Sequence, residues 1–207
     1  MSKPRGSSRS WKERQERDPY VQQARKDGWR SRAVYKLEEI DKKARLLKPD
    51  MVVVDLGAAP GSWSQYVTEK LKGRVRIVAV DLLPMDALPS VEFIQGDFTE
   101  DDTLAAMKAA IGEAPVDLVM SDMAPNISGN RAVDQPRSMY LVELARDMCR
   151  EVLRKGGDFV CKLFQGEGID AFIAETRKQF GSVKVIKPRA SRADSREVYL
   201  VARNYQL

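Results

Sequence analysis

Asp55 closes the apolar run Met51 to Val54 and is followed at once by Gly57 and Gly61, in the segment DLGAAPGSW. Glycine at both places lets the backbone turn sharply and approach a ligand with no Cβ in the way. The spacing is not the G-x-G-x-x-G of a dinucleotide site, and no basic residue stands in the loop to meet a phosphate. A carboxylate there suits a ligand carrying positive charge, such as an amino group or a sulfonium. Taken alone, the segment could also be a glycine-rich turn in some other α/β domain. Three more acids close later apolar runs: Asp81 in RIVAVD, Asp97 after VEFIQG and Asp122 after VDLVMS. An acid about 20 or more residues beyond a glycine loop commonly takes a pair of ribose hydroxyls, which fits Asp81. Asp97, beside Phe98, could receive a nucleobase amino group next to a stacking face. Any one of these acids could equally cap a helix, but Asp55, Asp81 and Asp97 at successive strand ends are harder to explain as caps.

Proton chemistry must come from other residues. The chain has no histidine, which excludes a histidine-based triad, and its two cysteines, Cys149 and Cys161, lack the spacing of a metal site. No metal is expected, and lysine, aspartate, glutamate and tyrosine remain as acids or bases. Lys162 ends the otherwise apolar run DFVCKL, where a lysine at a strand edge often snorkels to water. Lys36 lies off the apolar stripe of SRAVYKLEEIDKKARLL and by itself reads as a solvated lysine on a helix face.

The elements that must position these residues alternate. Runs at 51–55, 76–81, 91–95, 116–121 and 158–163 read as strands, the first buried on both faces in the pattern of a parallel sheet. Helical spacing separates them: from about 64, from 100 to 111, and from Gln135-Pro136 to about 153, where Lys155-Gly156-Gly157 closes the long helix. A helix at 170–180 leads to strands at 183–187 and 197–202, joined by the basic connection KPRASRADSR. A further helix is expected over 31–47. Asp122 faces the mouth of the ligand crevice if its strand lies next to the first, as doubly wound sheets arrange it. The polar segment 127–135 could move over a substrate.

A chain of 207 residues with 43% hydrophobic content has room for one domain with a substantial core. No apolar run approaches a membrane span and no secretory leader is evident, so a cytoplasmic protein is expected. Charge is unevenly placed. Residues 1–33 hold ten Lys or Arg against four acids, a net of +6, while the rest holds 25 against 26, a net of −1. Trp11, Tyr20 and Trp29 are interleaved with those charges. A basic arm with aromatics can neutralise phosphates and stack on bases, or can simply be a solubilising tail. Residues 1–30 are therefore read as a flexible basic arm and 31–207 as a single domain.

The motifs SRAVYKL, DLGAAPGSW, SDMAPN, VCKLFQG and SREVYLVA, in this order and spacing, resemble the RrmJ/FtsJ family of 23S ribosomal RNA 2′-O-ribose methyltransferases over residues 28–204. The resemblance implies an α/β, Rossmann-like fold: a seven-stranded, mostly parallel sheet with an antiparallel last strand and helices on both faces. It implies S-adenosylmethionine as cofactor, held by Asp55, Gly57, Gly61, Trp63, Asp81, Asp97 and Asp122. It also implies a catalytic tetrad of Lys36, Asp122, Lys162 and Glu197 around a uridine 2′-hydroxyl, with Lys162 as base. Arg32, Lys36 and Tyr199 would meet the RNA, although Tyr199 could equally be a core residue. The implied partner is 23S rRNA in the large ribosomal subunit, with the enzyme a monomer away from membranes.

A free lysine titrates near 10.4 and is a poor base at neutral pH. Lys36 and partial burial are expected to pull Lys162 down, while the two carboxylates pull it back up. A related enzyme acting on transfer RNA or an mRNA cap would use the same four residues. A non-catalytic RNA-binding module would explain the basic arm but would not need them, and the glycine spacing disfavours a dehydrogenase.

Overall fold

The computed structural model describes residues 15–207. Its core is one seven-stranded sheet: β1 Met51–Leu56, β2 Val75–Asp81, β3 Val91–Gln95, β4 Val116–Ser121, β5 Leu153–Phe164, β6 Phe180–Ile186 and β7 Glu197–Tyr205. The strand order is β3-β2-β1-β4-β5-β7-β6, and β7 alone runs antiparallel to its neighbours β5 and β6. The order reverses between β1 and β4, so the carboxyl ends of these two strands open the crevice where doubly wound sheets bind ligands.

Alternate residues of the central strands face opposite layers. Val54 and Leu56 of β1 join Val78, Met107, Val142, Cys149 and Phe172 in one core, while Val53 joins Ile77, Leu37, Ile40, Trp63 and Val67 in the other. The helices follow that division. On the first face lie α4 Asp101–Ile111, α5 Arg131–Val152 and α6 Ile169–Arg177; on the second lie α2 Val34–Ala44 and α3 Ser62–Lys70. Among the described residues no helix is long and apolar enough to cross a membrane.

Three departures from the sequence reading go beyond shifts of a few residues at element ends. Helix α5 starts at Arg131, four residues before the expected position, because the Asn130 side chain accepts from Ala132 N and Pro136 is tolerated inside the helix. It runs directly into β5 at Leu153: Leu153 pairs with Val116, and the Lys155-Gly156-Gly157 stretch expected to close the helix lies within a strand whose register shifts. The third difference is α1, Pro19–Asp27, inside the segment read as a flexible arm. Asp18 caps it, Pro19 is its first residue and Gly28 terminates it in a left-handed conformation. The body holds this segment. Trp29 packs on Tyr66 and Tyr20 on Tyr35, while Arg30 donates to the carbonyls of Pro60, Asp86 and Ala87 at 3.0, 2.7 and 2.9 Å. The boundary at residue 30 is therefore corrected: the compact body includes α1. Trp11 lies outside the described residues.

Candidate active site

Four side chains from four elements meet at the carboxyl edge of the sheet. Lys36 comes from the first turn of α2, Asp122 follows β4, Lys162 is near the end of β5 and Glu197 begins β7. Lys36 Nζ lies 2.7 Å from Glu197 Oε1, and Lys162 Nζ lies 3.0 Å from Asp122 Oδ1 and 3.8 Å from Glu197 Oε2. Lys162 Nζ also donates to the Asp122 carbonyl at 3.0 Å. Two neighbours hold the carboxylates: Tyr199 Oη donates to Asp122 Oδ1 at 2.6 Å, and Ser191 Oγ to Glu197 Oε1 at 2.8 Å. Lys36, read alone as a solvated lysine, has a side chain only 13% exposed. The antiparallel ladder explains the convergence, since Lys162 is opposite Tyr199 and Phe164 opposite Glu197.

Burial dominates the electrostatics here, and pairing reverses its effect. Burial alone would lower the pKa of Lys162, but Asp122 and then Glu197 outweigh it, and the amine is held above its usual value. Burial would likewise raise Glu197, yet Lys162 and Lys36 keep it below the usual carboxylate range. The expected depression of Lys162 is thus corrected. Lys36 pairs with Glu197, and the charges that shift Lys162 are those of Asp122 and Glu197.

The glycine loop lies beside this cluster. Gly57 and Ala58 both donate to Val80 O, and Asp122 N donates to Leu56 O, so β1, β2 and β4 close on one another here. Gly57 has φ +75°, and a Cβ on it would come within 2.8 Å of Met123 Cγ, so only glycine lets the two loops touch. Gly61 is covered by Arg30, Met85 and Leu88, which places it in packing contacts. Asp55 is fully buried. Oδ2 accepts from Ser64 Oγ at 2.6 Å, while Oδ1 has no partner. Burial pushes its pKa up to about 7, the Ser64 hydrogen bond opposes this, and the charges of Asp122 and Asp81 add to the rise. Asp81 accepts from Ala59 N and Leu83 N, one on each oxygen. Asp97 uses one oxygen for the Thr99 amide and hydroxyl, a local turn rather than a helix cap, which holds its pKa low and leaves the other oxygen for a ligand.

Two expected contacts move into the core. Trp63 is 2% exposed and its Nε1 donates to Ala33 O, so only its backbone can face a ligand. Tyr199 is 0% exposed, wedged against Trp63, and cannot stack on a base; the alternative reading, a core tyrosine, holds. Phe98 is also in the core, whereas Leu82 and Leu83, 62% and 65% exposed beside Asp81, offer apolar surface that the sequence reading passed over. Arg32 pairs with Asp18 and donates to Ala190 O, in a cleft of about 440 Å³ lined also by Arg17, Arg189 and Arg192. Ser191 was missed because nothing local marks a serine in a basic loop as a partner for Glu197.

The orphaned, buried Asp55 Oδ1, the neighbouring acids and the uncapped start of α3 fit a ligand with a cationic centre and a carboxylate. S-adenosylmethionine has both. The sequence profile described as FtsJ-like methyltransferase matches residues 29–205. "Ribosomal RNA large subunit methyltransferase E" of Pseudomonas paraeruginosa (strain DSM 24068 / PA7) is 56% identical over 200 residues, covering 97% of this chain and 97% of its own. The protein of that name from Pseudomonas fluorescens (strain Pf0-1) is 53% identical over 200 residues, covering 97% and 96%. A crystal structure described as a ribosomal RNA methyltransferase from Plasmodium falciparum superposes with a TM-score of 0.78 at 30% identity, covering 86% of this chain and 98% of that one.

Proposed function

Because the chain belongs to the FtsJ-like methyltransferase family, we propose that it transfers a methyl group from S-adenosylmethionine to the ribose 2′-hydroxyl of a uridine in large-subunit 23S rRNA. The observation that carries this reading is the meeting of Lys36, Asp122, Lys162 and Glu197 beside an acid-rich glycine loop. The printed names of the Pseudomonas relatives support ribosomal RNA as the substrate.

S-adenosylmethionine, when bound, supplies a methyl group already activated on a sulfonium. The chain has then to align the hydroxyl and manage one proton. Asp55, Asp81 and Asp122 provide counter-charge for the cationic end, and the amides at the start of α3, at Ser62 and Trp63, suit its carboxylate. The remaining lone pairs of Asp81 suit ribose hydroxyls, and the second oxygen of Asp97 suits the adenine amino group. Transfer of that methyl to the 2′-oxygen, with the carbon–sulfur bond breaking and the sulfur leaving as a neutral thioether, would release the hydroxyl proton, and Lys162 Nζ would take it. Lys162 can do so only when neutral, and the acids beside it make that form scarce at pH 7. Asp122 and Tyr199 orient the amine, while Lys36, steadied by Glu197, donates to the developing alkoxide.

Incubation with methyl-labelled S-adenosylmethionine and large subunits, protein-free 23S RNA or transfer RNA, followed by digestion to nucleosides, tests the reading. Label in 2′-O-methyluridine from large-subunit RNA is expected. Label on a base, or only in transfer RNA, would overturn it. The chain is expected to act in the cytoplasm as a monomer, which sedimentation of the free protein checks.

A further inference from the structure

A second cavity opens beside Arg196, the residue that precedes Glu197. It has a volume of about 590 Å³ and lies between the first turns of α5 and the loop joining β5 to α6. Its floor is built around Gln135, which is buried and whose Nε2 donates to the carbonyls of Phe164 and Glu167 at 3.1 and 3.0 Å. Gly166 is needed there because a Cβ would come within 2.7 Å of the Gln135 amide. Arg196 spans the cavity wall, with Nη1 donating to Gln165 O at 2.9 Å and approaching Gln135 Oε1 at 3.4 Å. A guanidinium has five donors, so Nε and Nη2 remain for a ligand. Arg131 lines the same cavity and has no side-chain hydrogen bond or ion pair among the described residues, and Met139 adds apolar surface. Glu167 is the one acid in the lining, which leaves a net positive site.

The position of the cavity matters as much as its charge. Gln165 N donates to Arg196 O at 3.0 Å, one step beyond the pairing of Phe164 with Glu197, so the cavity and the tetrad sit on the same two strand ends. Three residues along β5 separate Gln165 from Lys162, roughly 10 Å. Ser191, which holds Glu197, is followed by Arg192 in the arginine cleft. Arginines of two separate clefts are thus neighbours in sequence of Glu197 and of the Ser191 that holds it. An extended polyanion, with a negative charge at every repeat, satisfies both clefts at once, whereas a small anion satisfies only one.

We propose that the cavity lined by Arg131, Gln135, Met139 and Arg196 is a second RNA subsite that holds a nucleotide flanking the methylated one. Arg131 and Arg196 would pair with its phosphate and Met139 would meet its base. The proposal rests on the RNA reading above, and its test separates the two.

The affinity of a labelled single-stranded RNA of about ten nucleotides, a length suited to such channels, is measured by anisotropy across a salt series for the wild type, Arg131→Ala and Arg150→Ala. Arg150 lies at the far end of α5, about 28 Å away by helix rise, and serves as the control. KM and kcat for methylation of large subunits and of protein-free 23S RNA are measured in parallel, with S-adenosylmethionine affinity by calorimetry. Arg131→Ala is expected to weaken RNA binding several-fold and to make the log–log salt slope shallower by about one. It should raise KM while leaving kcat and cofactor affinity at wild-type values. An Arg131→Ala protein indistinguishable from Arg150→Ala would overturn the subsite. A KM change confined to assembled subunits, with oligonucleotide affinity unchanged, would also overturn it and assign the cavity to a ribosomal protein. If the wild type methylates no RNA, the proposed function fails, and the anisotropy series still decides whether the cavity binds RNA.

Discussion

At the ends of β4, β5 and β7 charges come in equal numbers, two lysines against two carboxylates, each within ion-pair distance of an opposite charge. A few residues away, around the loop after β1, Asp55 is buried near the charges of Asp122 and Asp81, which raise its pKa further, and it keeps an oxygen with no partner. The same burial acts on both regions with opposite outcomes. In the first, pairing overrides desolvation, and Lys162 is held above its ordinary value while Glu197 is held below its own. In the second, desolvation wins and Asp55 is half protonated near neutrality. The balanced region has what it needs to move a proton, and the unbalanced one is short of a cation.

The largest expected effect breaks the balanced region. Lys162→Ala should lower single-turnover methyl transfer by about 10²- to 10⁴-fold, the usual worth of a general base. Calorimetry should show S-adenosylmethionine affinity little changed, and a variant with near-normal turnover would remove Lys162 from the chemistry.

A smaller effect sharpens the role of Tyr199. Tyr199→Phe keeps the ring but deletes the hydroxyl that donates to Asp122. We expect roughly a tenfold loss of kcat and a stability loss of about 1 kcal/mol by denaturant titration, the net worth of one hydrogen bond. If the ring served to stack on RNA, Phe would retain full activity.

The smallest effect probes the unbalanced region. Between its ordinary 3.8 and about 7, Asp55 holds a proton in the folded state that it would lose on unfolding, so its contribution to stability falls as pH rises through that window. Asp55→Asn should flatten the difference in melting temperature between pH 4 and 7 relative to the wild type. In the wild type, affinity for the cationic cofactor should rise several-fold as pH passes 7, because ionised Asp55 attracts it, and the variant should lose that rise. Glu197 behaves in the opposite sense. Its pKa is lowered, so its stabilisation is present above the ordinary carboxylate value and is lost only as pH falls through the depressed one.

The glycine loop and the strands were legible because their cause is local. Four apolar residues before Asp55 demand a buried strand, and positive φ at Gly57 demands glycine. Helix α1 was equally legible in Asp18, Pro19 and Gly28, but the charge around it drew the reading toward a flexible arm. The four residues of the tetrad could be named only through a family resemblance, since Lys36 and Glu197 lie 161 positions apart and meet by topology. The state of Lys162 was not legible at all. Whether Lys36 acts on Lys162 or pairs with Glu197 depends on which group its amine reaches, a matter of ångströms. The burial of the Tyr199 and Trp63 side chains was not legible for a related reason: on a strand or helix buried on two sides, an aromatic beside the site is more often its wall than its surface.

The central claim is that Lys162 is the base and that its two acidic neighbours hold its proton on. Single-turnover methyl transfer against pH, for the wild type and Glu197→Gln, tests it most directly. The account predicts a rate that climbs on the alkaline side of neutrality, with the climb displaced to lower pH in Glu197→Gln, where one of the charges that raises Lys162 is gone. A rate independent of pH across that range, or a climb that Glu197→Gln leaves in place, would contradict it.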